Sequence, residues 1–227
     1  MEIQRVYRAL IVGFRRRRMR RFARAFRPGP DTRILDVGGT RFNWDLIDAR
    51  PRVTLLNLDA RESGDALPPH LTPVVGSGLR LPHPDRAFDV VFCNSVIEHV
   101  GSADAQLALA RELRRVARGL WVQTPARGFP FEPHLLTPFL HWLPRRWQRR
   151  LIRNFSVWGW LVRPGPEQVE RVVDETRLLG RREFAALFPD CEIRHERVLG
   201  WTKAFVAVRL PQGIGSGSRA DRRNDVR

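Results

Sequence analysis

Cysteine, lysine and tyrosine are nearly absent from this chain of 227 residues, which has two cysteines, Cys93 and Cys191, one tyrosine, Tyr7, and one lysine, Lys203. Neither cysteine has a Cys or His neighbour at the spacing of a zinc site, and two thiols do not staple a miniprotein. Both are expected to be buried free thiols in a reducing compartment. No stretch approaches the roughly 20 consecutive apolar residues of a membrane-spanning helix, because the most apolar windows, 155–162 and 204–208, are short. The dinucleotide pattern G-x-G-x-x-G is missing, as is a P-loop Gly-Lys-Ser/Thr, which sets nicotinamide and ATP chemistry aside. Residues 1–27 lack the continuous apolar run and small-residue cleavage site of a secretory signal. They contain no serine, which argues against a transit peptide.

What the chain has in excess is arginine. The formal net charge is +16, and its location matters more than its size. Residues 1–27 hold ten arginines against the single acid Glu2, and Arg145, Arg146, Arg149, Arg150 and Arg153 form an internal patch without an acid. The rest of the chain is close to balanced, so the basicity belongs to an N-terminal arm and one patch and not to the whole surface. Within the arm, Ile3, Val6, Tyr7, Leu10, Ile11 and Phe14 follow helical spacing, with Met19, Phe22 and Phe26 beyond. An amphipathic helix follows, with two readings: packing on the core with a solvated basic face, or lying on an anionic membrane surface. Pro28-Gly29-Pro30 should stop it and open a domain spanning 28–210, before a polar tail at 211–227.

From residue 33 onward, strand patterns alternate with helical ones. Strands are expected at 33–37, 53–58, 72–75, 88–93, 120–124, 192–198 and 204–210. Helices are expected at 42–49, at 96–118 with a break at Gly101-Ser102, and at 176–187. Such alternation implies a mostly parallel sheet covered on both faces, and the last two strands look like an antiparallel finish. Residues 125–165 read as an irregular excursion rich in proline, aromatics and arginine, of the kind that carries function.

In an open parallel sheet, ligands sit beyond the carboxyl ends of the strands. Asp36, Gly38 and Gly39 stand in the turn after the first strand, where glycines let the backbone turn tightly and approach a ligand while a carboxylate receives a cation or a hydroxyl. Asn57 and Asp59, two apart and so expected on one side of the strand, follow the second. The bland alternatives are that Asp36 caps the next helix, that Asp59 starts a turn and that Glu98-His99 is a surface pair.

Taken in order, Ile34-Leu35-Asp36-Val37-Gly38-Gly39-Thr40, Asn57-Leu58-Asp59, the stretch from Gly76 to Pro82 and the stretch from Phe88 to Val100 resemble the class I S-adenosylmethionine-dependent methyltransferases, closest to their small-molecule group. The resemblance covers about residues 31–124 well. It implies an α/β, Rossmann-like fold with a seven-stranded, mostly parallel sheet whose last strand is antiparallel, and helices on both faces. It also implies S-adenosylmethionine as cofactor and no metal. Asp36, Gly38 and Gly39 then match the loop at the methionine end, although Thr40 stands where the second glycine is usual. Asp59, or Asn57, matches the acceptor of the ribose hydroxyls, and Asp59 is preferred because a carboxylate accepts from two hydroxyls at once. Ser77, Gly78 and Leu79 match the adenine pocket, and Asn94 begins the segment lining the sulfonium.

Methyl transfer from a sulfonium is an in-line displacement, so the protein's tasks are to align the acceptor, exclude water and, for a hydroxyl, remove a proton. His99 and His134 are the histidines expected near that proton, and 125–165 is expected as the acceptor side or lid. The implied acceptor is a small-molecule, lipid-linked or glycan group, methylated at oxygen by a cytoplasmic enzyme with peripheral membrane contact through the arm. An RNA or DNA methyltransferase using the basic arm is the first rival. Enzymes acting on base amines carry Asn/Asp-Pro-Pro-aromatic after the fourth strand, whereas this chain reads Asn94-Ser95-Val96-Ile97. The second rival is a non-catalytic membrane or protein-binding module, prompted by Thr40 and Ser77.

Overall fold

The apolar spacing of the arm is realised as helix α1, Glu2–Phe26, in a computed structural model that describes residues 2–64, 66–132 and 137–211. Its last turns bury Met19, Phe22 and Phe26. Phe22 stacks on Phe26 with ring centres 5.0 Å apart, and its edges meet Trp44, Phe92 and Trp121 at 5.1–6.0 Å. Edge-to-face geometry sets the negative face of one ring against the positive edge of another, adding to a burial worth about 1.5–3 kcal/mol per ring. The helix ends at Pro28-Gly29-Pro30, as the sequence requires.

The strands that follow are β1 Arg33–Val37, β2 Arg52–Asn57, β3 Leu71–Val75, β4 Phe88–Asn94 and β5 Ala117–Pro125; β6 Phe131–Glu132 and β7 Thr137–Pro138 make a separate pair, and β8 Glu192–Val198 and β9 Trp201–Arg209 complete the set. Seven form one sheet in the order β3-β2-β1-β4-β5-β9-β8. β1 runs parallel to both β2 and β4, with Ile34 opposite Val53 on one side and Val90 on the other. Four of the five residues of β1 are buried without alternation, the signature of a strand covered on both faces. β8 and β9 are joined by Leu199 (φ 49°) and Gly200 (φ 82°), a two-residue turn with both φ positive that sets its strands antiparallel. The sheet is therefore mostly parallel with an antiparallel finish, and helices pack around it.

Several helical expectations change. The helix after β1, α2, is only Arg41–Trp44, because no side chain caps its start and Trp44 is tied down by a buried partner. Within 96–118 the expected break is present at Gly101 (φ 84°), but the part before it is only a short 3-10 turn, Ile97–His99, ahead of α3, Ala103–Val116. The stretch 125–165 is not irregular throughout: it contains α4 Arg145–Phe155 and α5 Val157–Val162. α6, Pro166–Glu175, begins with proline, whose missing N–H costs nothing in a first turn. Residues 176–180 are not helical as expected, and α7 starts at Arg181, where Glu183 accepts a hydrogen bond from the Gly180 N–H.

Contacts divide the chain into two compact units. Unit 1 takes residues up to Cys93, Glu112–Val122 and the chain from Val208; unit 2 takes Asn94–Arg111 and Gln123–Ala207. Unit 1 is built on the aromatic cluster around Phe22. Within unit 2, Leu140, Ile152, Val169 and Val173 form a small core between α4 and α6.

Candidate functional site

In unit 1 the strand order reverses between β1 and β4, and the turn after β1 lies at that switch. Gly38 has φ 68°, a left-handed conformation that disfavours any side chain, and its N–H is held by the Leu56 carbonyl at 2.8 Å. Gly39 is required for a different reason: a Cβ there would stand 2.1 Å from the Asp36 carboxyl carbon. The two glycines thus fold the loop directly over Asp36.

Asp36 is fully buried. Its Oδ2 accepts the Trp44 indole N–H at 2.8 Å, while Oδ1 has no partner. Burial pushes the carboxyl up to about 8, against the opposing pull of the Trp44 bond and the positive charge of Arg15. Arg15 reaches the neighbourhood from α1, with its guanidinium 3.4 Å from the Asn43 amide oxygen and over the Phe42 ring. Asp36 does not cap α2, which starts after Thr40. Sequence reasoning missed Trp44 and Arg15, whose distance along the chain from Asp36 leaves no local signal.

Asn57 and Asp59 do not share a side. β2 ends at Asn57, so strand alternation no longer governs Asp59. Asn57 turns inward and is buried, its amide donating to the Gly39 carbonyl (2.8 Å) and the Ser63 hydroxyl (3.0 Å). Its own carbonyl accepts from Gly76 N–H at 2.9 Å. It therefore ties the ends of β1, β2 and β3 together. Asp59 turns outward, caps the turn Ala60–Ser63 by accepting from the Arg61 N–H (2.9 Å) and pairs with the Arg61 guanidinium at 2.6 Å. Those bonds hold its carboxyl below the usual carboxylate range. Arg61 is a neighbour that the spacing did not announce. Ser77 accepts the Leu79 N–H at 3.2 Å, so Ser77, Gly78 and Leu79 form one tight turn after β3.

Unit 2 begins at Asn94, which is half-buried. Ser95 (φ 57°) is fixed by Gln123, whose carbonyl accepts its N–H (3.0 Å) and whose amide oxygen accepts its hydroxyl (2.9 Å). The Glu98-His99 pair is not a surface pair: Glu98 is fully buried and accepts the Thr124 hydroxyl at 3.0 Å. His99 lies 4.0 Å from the other Glu98 oxygen with its ring partly exposed. His134 lies outside the described residues. A cavity of about 270 Å³ opens between α4 and α6, with Ile152, Val172 and Val173 on its apolar side and Arg127, Arg145 and Arg177 on its cationic side. Sequence reasoning placed aromatics and arginines here but not the cavity, because α6 was not expected. Among the described residues, no three His, Cys, Asp or Glu side chains gather as a metal site, and no helix is long and apolar enough to cross a membrane.

Residues 38–119 match the family model described as a methyltransferase domain. Among solved structures, the chain is similar to a candidate methyltransferase from an antibiotic biosynthesis pathway of Anabaena variabilis, at 14% identity and a TM-score of 0.54, over 80% of this chain and 64% of that one. The chain thus spans under two thirds of that relative's length. It is similar as well to a possible exported protein of Bordetella parapertussis (15%, TM-score 0.55, 88% of this chain and 67% of that one). A third likeness is to a candidate zinc-dependent alcohol dehydrogenase of Rhodobacter sphaeroides (12%, TM-score 0.53, 79% and 84%). At such identities the likenesses establish the Rossmann-like fold. No curated protein matches the chain in sequence.

Proposed function

We propose that the chain, whose residues 38–119 match a methyltransferase domain, is a class I S-adenosylmethionine-dependent methyltransferase that transfers a methyl group to an oxygen of a small-molecule, lipid-linked or glycan acceptor. S-adenosylmethionine supplies an activated methyl on a sulfonium. The residues present fit it: Asp36 offers a buried, unpartnered oxygen to an ammonium, and Gly39 packs its backbone against that carboxylate where any Cβ would collide with it. This unpaired carboxyl oxygen under the glycine turn is the observation that carries the reading.

Around it, each residue has a task. Asn57 keeps the glycine loop in register with the ends of β2 and β3. Asp59, held ionised by Arg61, accepts from the ribose hydroxyls, and Arg61 must share it. Ser77, Gly78 and Leu79 border the base, and Asn94 the sulfonium end. His99 or His134 takes the acceptor's proton. The enzyme works in the cytoplasm.

Calorimetric titration with S-adenosylmethionine tests the reading. Wild type should bind at micromolar concentration, and Asp36→Asn should weaken binding tenfold to a hundredfold through loss of the charge-assisted bond, about 1.5–3 kcal/mol. No heat at millimolar ligand removes the cofactor, and an unchanged Asp36→Asn affinity removes Asp36 from its site.

A further inference from the structure

Helices α4 and α5 meet at a corner fixed by two devices. Ser156 Oγ accepts the Gly159 N–H at 2.9 Å and donates to the Ile152 carbonyl at 2.6 Å. A Cβ on Gly159 would stand 2.2 Å from that same carbonyl, so only glycine lets α5 cross this close. The inward side of the corner is satisfied by the small core of Leu140, Ile152, Val169 and Val173. Apolar side chains nonetheless continue on the outside: Phe155 is 65% and Trp160 64% exposed, Leu161 and Val162 are exposed beside them in sequence, and Trp147 is exposed earlier on α4. Scattered single exposures are ordinary, but four large apolar side chains exposed between Phe155 and Val162, with Trp147 two turns before them on α4, are not.

The charges of α4 divide by face. Arg145 and Arg149 turn to α6 and share Asp174 at 2.9–3.1 Å. Arg146, Arg150 and Arg153 follow at i, i+4 and i+7 on another face, all exposed, and none makes an ion pair among the described residues. Arg150 instead lies over the Trp147 ring at 5.8 Å. Arg163, also exposed, follows α5. Basic side chains of this kind attract anionic headgroups and extend apolar stems past them. The Trp160 indole N–H already donates to the Asn154 carbonyl at 2.6 Å, so its ring can leave water without stranding a donor.

We propose that the α4–α5 corner is a membrane-docking surface, in which Phe155, Trp160 and Leu161 enter the headgroup–acyl boundary of an anionic bilayer and Arg146, Arg150 and Arg153 hold its headgroups. The unpaired arginines are what select an anionic bilayer over a protein of mixed surface. This surface is separate from α1, whose Met19, Phe22 and Phe26 face is spent inside unit 1.

The test is co-sedimentation of the full chain with vesicles of 30% phosphatidylglycerol in phosphatidylcholine. Wild type should bind, and lose binding in pure phosphatidylcholine or at high salt. Phe155→Ser/Trp160→Ser/Leu161→Ser and Arg146→Glu/Arg150→Glu/Arg153→Glu should each cut binding at least tenfold while S-adenosylmethionine affinity stays at the wild-type value. That affinity reports folding and keeps this test apart from that of the methyltransferase reading. Wild-type vesicle binding in both triple variants would assign the membrane to the arm and overturn the proposal, as would a wild type that ignores vesicles and instead dimerises or captures a protein through this corner.

Discussion

Unit 1 and unit 2 use the same residue types in opposite ways. In unit 1 aromatic rings are interior, with Phe22, Trp44, Phe92 and Trp121 meeting edge to face, and the fully buried Asp36 sits under a glycine turn. In unit 2 the aromatics of α4 and α5 are mostly outside, and charge is carried on arginines of which only some are paired. The contrast teaches what each set of residues is for. The unmet Asp36 acceptor costs about 1–3 kcal/mol in the interior, a cost that a cationic ligand would offset. Exposed rings beside cations that make no ion pair among the described residues suit the proposed membrane surface.

The largest effect that could break this contrast is expected at Phe22. If α1 is part of the unit 1 core, Phe22→Ala leaves a cavity touching four other rings and should lower unfolding stability by about 3–5 kcal/mol in denaturant titration. A loss below 1 kcal/mol would mean that α1 is only an arm laid on a core that stands without it.

The sequence shows unit 1 more clearly than unit 2, and the reason is range. Asp36, Gly38 and Gly39 share one turn, and the β1, β2 and β4 patterns are short buried runs whose period is visible in isolation. Asn57 shows the limit: its type and position suggested a ligand contact, but the strand ended one residue too early and the side chain turned to the Gly39 carbonyl. Arg15, Trp44 and Arg61 complete the site through contacts that no spacing rule encodes. In unit 2, α4 has an apolar stripe interrupted by five arginines, and α6 shows only Val169, Val172 and Val173 among charges. Helices so weakly patterned are set by the small core they share, which exists only once both are folded.

A smaller effect sharpens the reading of the buried acid. The Asp36 carboxyl is raised in the folded protein from an ordinary value near 3.8 to about 8. A raised acid contributes stability that is fully present below the unfolded value and is lost as pH rises through about 8. The ligand-free wild type should therefore lose stability relative to Asp36→Asn between pH 4 and 8 and run parallel to it above. A cationic ligand reverses the preference and favours the ionised carboxyl. Binding of S-adenosylmethionine at pH 7 should then release up to one proton in wild type and none in Asp36→Asn. Calorimetry in buffers of different ionisation enthalpy reads this directly. Zero release in wild type would mean that the ammonium does not meet Asp36.

The smallest effect concerns Asp174, the acid that pairs two of the five arginines of α4. Its side chain is 43% exposed and those of Arg145 and Arg149 are 52% and 40% exposed, so screening by water leaves the two bridges worth less than about 1 kcal/mol together. Asp174→Ala should thus barely move the melting temperature, and the small difference should vanish at high salt. The same change leaves Arg145 and Arg149 uncompensated and raises the positive potential of α4. Vesicle binding should therefore increase severalfold at low salt, opposite in direction to the arginine reversals on the outer face. A variant neutral for folding yet stronger on anionic lipid would show that unit 2 holds its cations for a surface and not for its core. Equal binding would mean that only the outer-face arginines meet the headgroups.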